Sequence, residues 1–282
     1  MSEHGGSTRY WADWFWKRAG GRPSLPADIG YAAMCALEVY VEQVDNLTTV
    51  TAASRIEGVG IRRPAGVSER RIHGCLAVGR RGAAILVEES DNAAQKRFTI
   101  AHECAHFILE VRTNQKRAAI RLGPDFSRVL HGLREATPTE RIDARLNNVR
   151  SDALVHFMDR TAAGGYGCGR IHEAECLADD LAVEILAPRS ELIKSLSSFG
   201  PMDFSESLSA ARRTAKRRFG LPETIADWYA NRVVWQLKGG PSSAERFGFG
   251  RWSSPQSSVV FSAADGNRTS NDDGKQSCRK HE

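Results

Sequence analysis

The sequence predicts a mixed α+β fold, in which a small β-sheet precedes a helix bearing a His-Glu-x-x-His motif and a helical C-terminal part follows. Three observations predict it. The runs VYVEQV, RIHGCLAVG and AAILVEE have the alternation and β-branched content of strands, and the last two are separated only by Arg-Arg-Gly. His102-Glu103-Cys104-Ala105-His106 lies within a run of helical apolar spacing. Farther on, Ala174, Leu177, Ala178, Leu181, Ala182 and Ile185 mark one face of an amphipathic helix that Pro188 stops.

The 282 residues, 41% hydrophobic and 26% charged, suffice for one or two domains with a core, and exclude a collagenous or disulfide-scaffold chain. No apolar run approaches the roughly 18 residues of a membrane-spanning helix, and the N-terminus lacks the pattern of a secretory signal. The six cysteines form no CxxC pair, as expected of reduced thiols and a cytoplasmic location. A net charge of +5 permits nucleic-acid contact without requiring it.

In chain order, Tyr10, Trp11, Trp14, Phe15 and Trp16 suggest a short amphipathic helix that docks on the protein's own core, ended by Gly-Gly-Arg-Pro. Ile29, Ala32, Ala33 and Leu37 have helical spacing and lead into VYVEQV. The two further strands cover 72–79 and 83–89. Ser90 or Asp91 is the expected N-cap of a helix from about Asn92 to Val111. Residues 112–172 are expected to form an insertion with helices near 126–134 and 138–160 and a glycine-rich loop, TAAGGYGCGR. Beyond the amphipathic helix, two helices over 204–218 and 222–237 flank Phe-Gly-Leu-Pro, a break like that of a helix-turn-helix. The expected division is thus an aromatic segment (1–24), a metal-binding domain (25–200), a helix-turn-helix-like region (201–238) and a disordered tail (239–282) rich in Gly, Ser, Asn and Asp.

Four residues along a helix bring His102 and His106 onto one face, where both imidazoles can hold one ion, and set Glu103 beside them to act on a water. Zn²⁺ is the ion this pattern implies. A catalytic zinc keeps three protein ligands and one open position, so a third ligand must come from elsewhere. Glu175 on the amphipathic helix is the leading candidate, with Asp179 one turn on to orient an imidazole. His172 and Cys168 are rival ligands. Tyr166, His172 or His156 could donate to a developing oxyanion. Cys104, inside the motif, is expected to be a small buried packing residue.

The run from Arg97 to Leu109, RFTIAHECAHFIL, followed by ECLADDLAVEILAP from Glu175 to Pro188, resembles the ImmA/IrrE family of metallopeptidases. The family pattern is RFTxAHExxH, then ExxAN-x-FA-xxx-L-x-P, and the resemblance covers roughly residues 25–235. Here Asp179 stands where the family usually has Asn and Leu181 where it usually has Phe, and the interval between His106 and Glu175 is longer than usual.

The resemblance implies a zincin-like metallopeptidase core, a third zinc ligand at Glu175, and Glu103 as general base in peptide-bond hydrolysis. It also implies a protein substrate, an XRE-type helix-turn-helix repressor whose cleavage releases a mobile element or controls a stress response. A different function class is a DNA-binding stress regulator or toxin-antitoxin component whose metal centre is structural or weakly active. Its sequence basis is the basic run Arg212, Arg213, Lys216, Arg217 and Arg218, on a segment similar to the helix-turn-helix-like part of many family members.

Overall fold

The computed structural model describes residues 4–58, 61, 68–79, 82–150, 153–159, 169–241 and 246. Four strands, β1 (Val39–Val44), β2 (Ile72–Gly79), β3 (Gly82–Glu88) and β4 (Leu154–Asp159), form one sheet in the order β1-β3-β2-β4. The β1–β3 pair is parallel, and β2 is antiparallel to both β3 and β4.

Side chains alternate across this sheet, which separates two apolar layers. Val39, Leu76, Ile85 and Val87 face the larger core, together with the partly buried Leu154 and Met158. Cys75, Ala77 and Leu86 face a smaller one, closed by Ala52 and Ile56 of helix α3 (Thr49–Gly58) and by Val155 and Phe157. The alternation along β4 therefore sends His156, two residues from Leu154 and from Met158, to the side of the larger core.

That larger core is built around helix α4 (Ala93–His106). Its residues Phe98, Ala101, Cys104 and Ala105 meet α8 (Gly169–Leu186), whose Ala178, Leu181, Ala182 and Ile185 are buried. Asn92 caps α4 by accepting from the Gln95 N–H at 2.9 Å. The expected caps, Ser90 and Asp91, are otherwise engaged. The Ser90 hydroxyl donates to Glu88 at 2.6 Å, and Asp91 lies 2.6 Å from His73 Nδ1.

Two glycines let α4 settle where it does. A Cβ on Gly74 would lie 2.3 Å from Thr99 Cγ2, so only glycine allows α4 to approach β2 this closely. Gly220, at φ +66°, accepts a 2.8 Å hydrogen bond from Arg97 and leaves no room for a Cβ beside that guanidinium.

The same core takes in both ends of the described chain. Trp11, Phe15 and Trp16 of α1 (His4–Arg18) are buried in it, and Trp16 Nε1 donates to the Ile185 carbonyl at 3.0 Å. Helix α2 (Ile29–Leu37) contributes Ile29, Ala33 and Leu37. The helices α10 (Phe204–Arg217) and α11 (Glu223–Lys238) contribute Ala211, Ala215, Ala230 and Val234, and α9 (Arg189–Ser197) contributes Leu192. One continuous core thus spans the segments 1–24, 25–200 and 201–238.

The 112–172 region departs from expectation. A π-helical turn over Phe107–Arg112 continues α4, with the Thr113 N–H bonded to the Ile108 carbonyl five residues back. Helices α5 (Thr113–Leu122), α6 (Phe126–Leu130) and α7 (Pro138–Leu146) then enclose a small cluster of Ala118, Phe126, Val129, Ala136, Ala144 and Val149.

The helix expected over 138–160 ends at Leu146, because Asn147 and Asn148, the latter at φ +52°, break it. Residues 154–159 instead pair with β2 along one edge, which satisfies part of their backbone and leaves the side chains of 154–158 half-buried. Helices α3 and α9 lie where no element was expected. The glycine loop up to Cys168, and the tail apart from 239–241 and 246, lie outside the described residues.

Phe15 is fully buried against this core. Phe15→Ala should therefore cost about 3–5 kcal/mol of stability. Thermal or denaturant unfolding checks this; a loss near zero would mean that α1 does not belong to the cooperative fold.

Candidate metal centre

The α4 periodicity turns both motif imidazoles inward. His102, Glu103 and His106 are 2%, 0% and 1% exposed. From the facing helix, Glu175 reaches the same point. His102 Nε2 and His106 Nε2 are 3.2 Å apart, and Glu175 Oε2 lies 3.4 Å from the first and 3.6 Å from the second. An ion held tetrahedrally by bonds of about 2.0–2.1 Å needs ligand atoms about 3.3–3.4 Å apart. The donor triangle fits that requirement, and it presents two imidazoles and a carboxylate, a set suited to a divalent transition metal.

His156 completes a group of four side chains close enough to hold a metal ion, with donor atoms all within 4.8 Å of one another. Its ring stacks on His106 with centroids 3.8 Å apart. Its Nδ1 lies 2.9 Å from Glu103 Oε2 and its Nε2 lies 2.9 Å from Glu175 Oε1.

Each motif histidine is held from behind by an acid on its other nitrogen. His102 Nδ1 lies 2.9 Å from Asp179 Oδ1, one helical turn beyond Glu175. His106 Nδ1 lies 2.9 Å from Glu110 Oε1, and Arg150 holds the other Glu110 oxygen at 3.1 Å. Such partners fix the tautomer and aim Nε2 at the ion. Glu103 Oε1 is buried without a hydrogen-bond partner among the described residues.

Mutual compensation sets the charge states. Burial alone would lower the His102 pKa, but hydrogen bonds to Asp179 and Glu175 and the charge of Glu103 raise it to about 9. Burial likewise opposes charging of His156, and Glu103 and Glu175 overcome it, raising the pKa to about 10. Desolvation would raise the Glu175 carboxyl, yet the three imidazoles hold it well below the usual carboxylate range. Glu110 is lowered by His106 and Arg150 against the effect of burial. Burial, with Glu103 nearby, pushes the Cys104 thiol up, so it remains an uncharged packing group.

The structure thus brings together His102, Glu103, His106, Glu175 and Asp179, and adds His156 as a member of the cluster. His172, the rival ligand, is exposed one turn from Cys176, whose Sγ lies 3.6 Å from its Nε2. Tyr166 and Cys168 lie outside the described residues.

Sequence reasoning overlooked Glu110, although its position four residues after His106 was a readable helical signal. The role of His156 was hidden because its segment was assigned to a helix; the run Leu-Val-His-Phe-Met was the missed strand signal.

Three of the five basic residues of the run make exposed ion pairs within the chain. Arg212 pairs with Asp227 at 3.3 Å, Lys216 with Glu223 at 2.6 Å and Arg218 with Glu191 at 2.9 Å. No helix among the described residues is long and apolar enough to cross a membrane. In comparison with known proteins, no family model and no curated protein matches the chain.

Two outcomes follow for metal binding. A metal ion needs the imidazoles neutral, and His102 holds its proton up to about pH 9. Apparent affinity should therefore rise with pH by about tenfold per unit between pH 7 and 9 for one displaced proton, measured by chelator competition. A flat or inverted profile would refute the assignment of His102. Asp179→Ala and Glu110→Ala should each weaken binding by about 10- to 100-fold, whereas Glu175→Ala should lose most of it. Isothermal titration with zinc ranks the three.

Proposed function

We propose that this chain is a zinc-dependent endopeptidase of the ImmA/IrrE type with a zincin-like core, hydrolysing a peptide bond in a protein substrate such as an XRE-type helix-turn-helix repressor. The observation that carries this reading is the donor triangle of His102, His106 and Glu175, with the buried carboxylate of Glu103 beside it. The likeness of both sequence motifs to that family supports it further.

His102, His106 and Glu175 would hold the zinc, which when bound would supply a Lewis acid able to lower the pKa of water and polarise a carbonyl. The remaining work belongs to side chains. Glu103 Oε2 is held by His156, while Oε1 has no partner among the described residues and is the atom left to accept the proton of an attacking water and return it to the departing amine. Asp179 and Glu110 keep the two imidazoles aimed while this happens. The internal pairing of Arg212, Lys216 and Arg218 leaves the DNA-binding alternative without a specific observation in its favour.

Glu103→Gln tests the reading. Glutamine preserves size but cannot take the proton, so zinc uptake should match wild type while cleavage of a cognate repressor falls by about two or more orders of magnitude. Equal rates of cleavage, followed on gels, would refute the role of Glu103; no cut in any repressor by zinc-loaded wild type would refute the proposed substrate.

A further inference from the structure

His156 lies on edge strand β4, outside both motifs, yet its ring is nearly buried, with a side-chain exposure of 14%, and it reaches into the centre. Two roles compete for it. As a fourth ligand it would close the coordination sphere, as in structural sites; as a hydrogen-bond donor it would leave that sphere open.

The geometry separates them. Atoms that share one tetrahedral ion stand about 3.3–3.4 Å apart, as Glu175 Oε2 does at 3.4 and 3.6 Å from the Nε2 atoms of His102 and His106, whereas His156 Nε2 meets the other oxygen, Oε1, at a hydrogen-bond distance of 2.9 Å and its Nδ1 meets Glu103 Oε2 at 2.9 Å. Across the 2.9 Å contact with Glu175 the ring N–H donates and Oε1 accepts. The two oxygens of Glu175 are then divided: Oε2 faces His102 and His106, and Oε1 faces His156.

We propose that His156 is a positioning residue that makes Glu175 a one-oxygen ligand. Left free, Glu175 Oε1 would turn onto the same ion and fill the position that an attacking water requires. The stack of His156 on His106 and its place on β4, opposite Leu76 of β2, hold the ring so that Nε2 meets Oε1. This inference rests on the metal-centre reading above and extends it to a residue that neither motif contains.

The test uses the full chain loaded with zinc, or with cobalt(II) as a spectroscopic substitute, and needs no peptide substrate. His156→Phe keeps a ring on His106 but removes both ring nitrogens. His156→Gln places an amide N–H near the former Nε2 and so restores the bond to Glu175; His156→Asn places one near Nδ1 and does not.

X-ray absorption should count two imidazoles on zinc in wild type and in every variant. The Phe and Asn variants should gain a carboxylate oxygen, visible in the cobalt protein as weaker visible absorption. His156→Gln should resemble wild type.

Three imidazoles in wild type falling to two in His156→Phe would show that His156 is a ligand and overturn the proposal. Wild-type coordination in His156→Phe, or a Gln variant with the same coordination as Asn, would overturn it too, and the Gln–Asn comparison decides the matter should the Phe variant fail to fold. If wild type takes up no metal, the centre itself falls and this inference with it, a failure distinct from the others.

Discussion

The constraint on which the rest of the structure depends is the burial of opposite charges at one point between α4, α8 and β4. An unpaired ion in such a place costs several kcal/mol, and the cost is tolerable only where partners are close and well oriented. Here His102, His106 and His156 meet Glu103, Glu110, Glu175 and Asp179, and most of these groups bond to at least two others or to a charged residue behind them. Each side chain is held by the next, so the centre has a definite geometry before any ion enters it. A bound ion would take the place of the proton on His102 Nε2.

Holding such a cluster requires helices and sheet to stand at fixed separations, and that is where the packing serves the chemistry. Alanines on α8 and α4 let the two helices lie close enough for Glu175 and Asp179 to reach His102. Gly74 lets α4 sit directly on β2 at the turn bearing Thr99 and Glu103. Arg97, bonded to the Gly220 carbonyl, ties α4 to the bend between α10 and α11. The C-terminal helices are therefore part of the support of the centre rather than an appended module, and their basic side chains mostly pair with acids of the same surface. The aromatic helix α1 acts similarly, since the Trp16 indole closes the carbonyl of Ile185 near the end of α8.

Everything that depends on local periodicity was legible before folding. The helical face of His102 and His106, the stripe on α8 with Glu175 and Asp179 beside it, and the strands β1 to β3 follow from spacings of two, three or four residues, and their neighbours in the chain are their neighbours in space. The relations between distant segments come from packing: the division of Glu175 between the motif histidines and His156, the support of His106 by Glu110 and Arg150, and the conversion of 154–159 into a strand. Those residues form a strand because β2 offers them unpaired backbone groups and an apolar layer for Val155 and Phe157, neither of which is present in their own local sequence. Once paired there, the two-residue alternation of the strand leaves His156 only one place to point.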